Sequence, residues 1–88
     1  MKLNQVAAFA LMGWYLMIPQ RQGSKIDIDV PIALWPHLDS FDSAAECRNA
    51  GLDAQKRVAD DPQSTPARRK QYAMFECIAT DDPRLKGR

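Results

Sequence analysis

Two cysteines, Cys47 and Cys77, and one histidine, His37, are the residues of this chain most able to do chemistry. The cysteines are too far apart for a CxxC redox motif. His37 does not complete a zinc spacing with them, and a structural zinc site takes four ligands. A disulfide is the reading that remains. Two cysteines in a small exported chain usually pair, whereas in a cytosolic chain they more often stand as free core thiols. Both lie beside apolar residues that could carry them into a core, so a Cys47–Cys77 bridge is expected. Closing that loop supplies roughly 3 to 4 kcal/mol on chain-entropy grounds. Against a total stability of about 5 to 10 kcal/mol, that is a large share.

A second cluster is His37 with Asp39 and Asp42, with Ser40 or Ser43 close by. Alternation along a strand would put His37 and Asp39 on one side, as a histidine–carboxylate pair requires. The simpler reading gives each residue a structural job. Ser43 caps a helix, the aspartates favour the positive end of that helix, and His37 is a surface strand residue. Asp60, Asp61, Asp81 and Asp82 lack the spacing of a calcium loop and precede prolines, as turn-forming aspartates do. The four glycines are scattered and form no phosphate loop. The expectation is therefore no catalytic residue, no cofactor and no metal site.

Charge is balanced, with twelve Lys and Arg against eleven Asp and Glu. A nucleic-acid binder normally shows a basic face and a clear positive excess. The one dense basic cluster, Arg68, Arg69 and Lys70, reads as a solvated helix face. The aromatics point elsewhere. Trp14, Tyr15, Trp35, Phe41, Tyr72 and Phe75 are more than a small sheet hides. Trp and Tyr are favoured anchors of protein interfaces, so Trp14, Tyr15 and Trp35 are candidate partner contacts.

At the N-terminus Lys2 precedes an uncharged stretch, residues 6–18. This is shorter than the roughly 20 residues that span a membrane, but it fits the basic-then-apolar pattern of a secretory signal. Ala8 and Ala10 offer a small-x-small cleavage site. A short uncleaved anchor and a buried first strand over residues 14–18 are the alternatives. Leader and strand are compatible if cleavage falls just before Gly13 or Trp14.

The elements follow from period and punctuation. Residues 14–18 are bulky and apolar, and Pro19 ends them. Residues 20–25 read as a polar turn. Residues 26–30 alternate apolar and acidic side chains, as a half-buried strand or an extended loop on the core would. Residues 34–41 hold Trp35 and Phe41, with Pro36 arguing for a sheet edge. Ser43 and Glu46 then form a capping box. Ala44, Cys47, Ala50, Gly51, Ala54 and Val58 recur on one face of a helix over residues 43–60, opposite Glu46, Asn49, Asp53, Lys56 and Arg57. That face is built of small residues, so the helix must lie close to what it covers. Thr65 and Pro66 start a second helix, and residues 77–80 read as a final strand.

Several of these strings resemble a family of small bacterial envelope proteins with no assigned activity. They are Gly13-Trp14-Tyr15-Leu16-Met17-Ile18-Pro19, Ser40-Phe41-Asp42-Ser43-Ala44-Ala45-Glu46-Cys47, and the end from Cys77 through Asp81-Asp82-Pro83-Arg84-Leu85-Lys86. The resemblance covers nearly the whole chain beyond the leader. It implies export and reinforces the disulfide, and it brings no substrate or cofactor.

With 88 residues there is room for one domain. A chain this short buries only roughly 60% of its unfolded surface. The expected fold is α+β. It has a small antiparallel sheet of about three strands, covered by one main helix, with a second short helix and the disulfide as staple. Residues 1–13 are the leader segment, residues 14–83 the domain and residues 84–88 a loose tail. The expected function is a non-enzymatic periplasmic or envelope module that binds another protein, with membrane contact only through the N-terminal segment. The alternatives are an accessory subunit of a membrane complex held by an uncleaved N-terminus, or a ligand binder or enzyme built around His37.

Overall fold

A computed structural model describes residues 13–86. The leader assigned to residues 1–13 therefore lies, apart from Gly13, outside the described residues, as do positions 87 and 88 of the expected tail. The chain forms β1 (Trp14–Met17), β2 (Gln20–Gln22), β3 (Lys25–Asp27), β4 (His37–Phe41), α1 (Ala44–Asp60), α2 (Pro66–Ala73) and β5 (Glu76–Ala79). Two 3-10 turns, Ile32–Leu34 and Pro83–Lys86, complete it. The fold is α+β, as the sequence predicts.

The main sheet is antiparallel with order β4-β1-β5, so the first strand is central. Register fixes which residues share a face. Leu16 lies opposite Asp39 and Cys77, while Met17 lies opposite His37 and Glu76. Successive side chains on a strand point to opposite faces. Leu16 and Cys77 therefore face α1, where Cys77 is bonded to Cys47 with their Cα atoms 6.0 Å apart. Tyr15, Met17 and Ile78 face the other way.

Helix α1 begins as the capping box predicts, with the Ser43 hydroxyl accepting from the Glu46 backbone N–H at 3.1 Å. Its buried residues are Cys47, Gly51 and Val58. Gly51 allows a close approach, because a Cβ there would overlap the edge of the Phe75 ring. Helix α2 starts at Thr65, whose hydroxyl accepts from the Arg68 N–H at 3.1 Å. Buried Gln71 ties α2 to the end of β1, its amide donating to the Pro19 carbonyl at 2.8 Å.

The second face of the sheet is covered by a strap, residues 28–35, whose first part is the extended loop on the core that the sequence offers as the alternative to a strand over residues 26–30. Met17, Trp35 and Ile78 form the buried cluster there, with Tyr15, Val30, Ile32 and Leu85 packed against it. Four expectations change as a result. Residues 20–25 are not a plain turn but most of the hairpin β2–β3, turning at Gly23 with φ of 62°. Its residues are mostly exposed and polar on both faces, so they show no alternation. The strand expected over residues 26–30 ends at Asp27, whose carboxylate accepts the Asp29 N–H at 3.2 Å and starts a turn instead. Trp35 is core, only 8% exposed, with its indole N–H donating to the Val30 carbonyl at 2.9 Å. Residues 84–86 are not loose, because Leu85 is held on the core.

Replacing both cysteines by alanine is expected to lower the unfolding free energy by about 3 to 4 kcal/mol. An unchanged urea midpoint would show that the staple contributes nothing. Gly51→Ala gains about 1 kcal/mol of helix propensity and loses about 1 to 3 kcal/mol to overpacking against Phe75. It should destabilise the native protein yet stabilise a Phe75→Ala background. The same sign in both backgrounds would show that the ring moves aside freely.

Candidate functional site

Apart from Cys47 and Cys77, which are bonded to each other, the residues singled out for chemistry do not converge. The register of β4 slips between Leu16 and Met17, leaving Leu38 as an extra residue. This bulge moves His37 to the strap face and Asp39 to the helix face, so the simple alternation that would pair them fails. His37 instead lies against Tyr15, with ring centroids 4.7 Å apart. Asp39 accepts the Ser40 N–H at 2.8 Å, and Ser43 is the helix cap. No hydrogen bond or ion pair joins His37 to Asp39 or Asp42 among the described residues.

Asp60, Asp61 and Asp82 also have local partners. Asp60 pairs with Lys56 at 2.8 Å, which holds the lysine pKa above its ordinary value through the hydrogen bond and the charge. Asp61 accepts the Gln63 N–H at 2.9 Å. Among the described residues, no group of three or more His, Cys, Asp or Glu is placed to hold a metal. Also among these residues, no helix is long and apolar enough to cross a membrane. In the basic cluster, the Arg68 guanidinium lies 5.5 Å over the Tyr72 ring.

What the fold does build is a groove of about 630 Å³ beside the strap. Its floor and walls are apolar, from Ile28, Val30, Ile32 and Trp35 on the strap and Met74 before β5. Pro31 and Pro83 also line it, and Glu76 and Arg84 are the charged lining residues. The strap is held in place by its own polar bonds. Its 3-10 turn closes through Leu34 N–H to the Pro31 carbonyl at 2.9 Å and Trp35 N–H to the Ile32 carbonyl at 3.1 Å. The Gln20 amide donates to the Leu34 carbonyl at 2.8 Å. Ile28, at the mouth, is 56% exposed. An exposed isoleucine continuous with an apolar groove is the kind of surface that marks an interaction site.

Arg84, one of the lining residues, is clasped by Asp82. The guanidinium donates to both carboxylate oxygens, at 3.1 and 2.9 Å, and the Arg84 backbone N–H adds a third bond at 2.9 Å. These bonds, the side-chain ones foremost, hold the Asp82 carboxyl below its ordinary pKa and raise that of Arg84.

A second cleft, of about 390 Å³, lies between α1 and β4, with Leu16, Phe41 and Val58 lining it. Its rim mixes Asp39 and Asp61 with Arg57 and Arg68, so it presents no single character.

Of the aromatics expected at a partner surface, Trp14 and Tyr15 are half-buried on opposite faces of β1, and Trp35 lines the groove from below. Ile28 and Met74, which shape the groove, carried no sequence signal beyond the alternation around Ile28. No protein-family model, curated protein or solved structure matches the chain.

Because the folded Asp82 pKa is depressed, the clasp is fully formed above the ordinary aspartate value of about 3.9 and is lost as pH falls through the lower folded value. An NMR titration of the Asp82 carboxyl carbon should show a midpoint below the ordinary value, and Leu85 methyl shifts should follow it. Arg84→Ala, which removes the guanidinium but keeps the backbone N–H, should raise that midpoint toward the ordinary value. A normal midpoint in the unsubstituted protein would show that the clasp does not form in solution.

Proposed function

We propose that this chain is a non-enzymatic, exported interaction module of the bacterial envelope that docks another protein in the groove beside the strap. The observation that carries the reading is the groove itself, apolar and continuous with the exposed side chain of Ile28. The Cys47–Cys77 bridge is compatible with an oxidising, exported setting and supports the compartment part of the reading. The strap and the clasp keep the groove formed before a partner arrives, and preorganisation of this kind lowers the ordering cost of binding.

The test is site-specific photocrosslinking in cells. A photoreactive residue at Ile28 should capture a discrete envelope partner. The same group at Leu52, which is 52% exposed on α1, should not. Equal patterns at the two sites, or none at Ile28, would remove the docking role. Intact mass of the natural protein checks the compartment: the expected product lacks the leader and labels no thiol before reduction. A full-length chain with two free thiols would refute export.

A further inference from the structure

We infer that the groove selects a protein segment carrying a bulky apolar side chain beside a lysine or arginine, and that Glu76 reads the cation. The inference rests on the docking role proposed above and goes further by giving the chemistry of the segment. Two charged residues line an otherwise apolar groove. Arg84 is neutralised by the Asp82 carboxylate, which it meets at 2.9 Å. Glu76 is exposed and has no ion pair among the described residues. Arg84 is also within electrostatic reach of Glu76, and the charges of Glu76, Asp82 and Arg84 together leave the groove one net negative charge to offer an incoming chain.

Position makes the charge selective. Glu76 opens β5 directly opposite the buried Met17, so its carboxylate emerges at the margin of the apolar floor. Low-dielectric walls focus the field of such a group, which favours a cation and disfavours an anion near it. Asp27 and Asp29 flank Ile28 in the sequence, and neither lines the groove. The cations nearest to the lining residues in sequence, Lys25 and Lys86, do not line the groove.

The shape favours a polypeptide. The lining comes from the strap, the α2–β5 connection and the Pro83–Lys86 turn, and the groove between them is open to solvent rather than enclosed. Small-molecule sites bury about 70 to 90% of their ligand, which an open groove does not do. A polypeptide seats one side chain and continues across the strap on both sides.

Two dye-labelled synthetic peptides test this on the oxidised full chain. Both alternate leucine with a charged residue, lysine in one and glutamate in the other. By fluorescence anisotropy the lysine peptide should bind about five- to tenfold more tightly, the scale of one partly desolvated charge pair. Its amide shifts should map to Ile28, Ile32 and Glu76. Glu76→Gln should bring the two affinities together, Glu76→Lys should reverse them, and the neutral change Ile28→Asn should weaken both. Equal binding of the two peptides at the groove overturns the charge selection and leaves docking intact. Binding of neither, with crosslinking at Ile28 still successful, also overturns the inference alone. Shifts mapping away from the groove overturn it as well.

Discussion

The backbone of β1 is shared between two partners, and the rest of the molecule is arranged around that sharing. The Gly13 carbonyl accepts from Thr80 on one side, and the Ile18 N–H donates to Pro36 on the other. Successive residues thus bond alternately to β5 and to β4, as a central antiparallel strand must. A strand with neighbours on both edges exposes its two faces, and here each face needs its own cover. Leu16, Met17, Ile18 and Pro19 are all buried as a result. The helix side is closed by α1 and made permanent by the disulfide. The strap side is closed by Trp35, Ile32 and Leu85. Neither cover has much apolar mass, which is why the first relies on a covalent bond and the second on hydrogen bonds to its own carbonyls and to Gln20.

The parts of this architecture that the sequence makes legible are those with strong local chemistry. Ser43 with Glu46, and Thr65 with Pro66, mark helix starts through side-chain caps that act within one turn. The small face of α1 announces close packing, and Gly51 against Phe75 is its result. Pro36 places β4 at an edge. Cys47 and Cys77 announce the bond that joins the layers.

What stays illegible depends on partners distant in sequence or on local competition with the expected period. The β2–β3 hairpin is polar on both faces, so no alternation betrays it. The side chain of Asp27 captures a backbone N–H and ends a strand that the Ile26–Ile28 alternation would prolong. The extra residue at Leu38 inverts the facing of His37 relative to Asp39, and no pattern in β4 itself marks the slip. Trp35 looks like a surface anchor until its indole N–H is seen to close the strap on Val30. The groove is a by-product of these same features. It exists where the strap, bent by prolines and turns, fails to meet the start of β5.

The placement of β1 also has a consequence for the order in which the fold is assembled. The central strand is made early, yet one of its two partners, β5, follows only after both helices. A chain delivered from its N-terminus therefore leaves one edge of β1 unpaired until residues near Ile78 have arrived. Local helices form quickly, but a pairing this distant waits for its loop to close. Until then β1 has a pairing partner on its β4 edge alone. A chain cut short before β5 would present the open edge of its most apolar strand to whatever chaperone or protease meets it first.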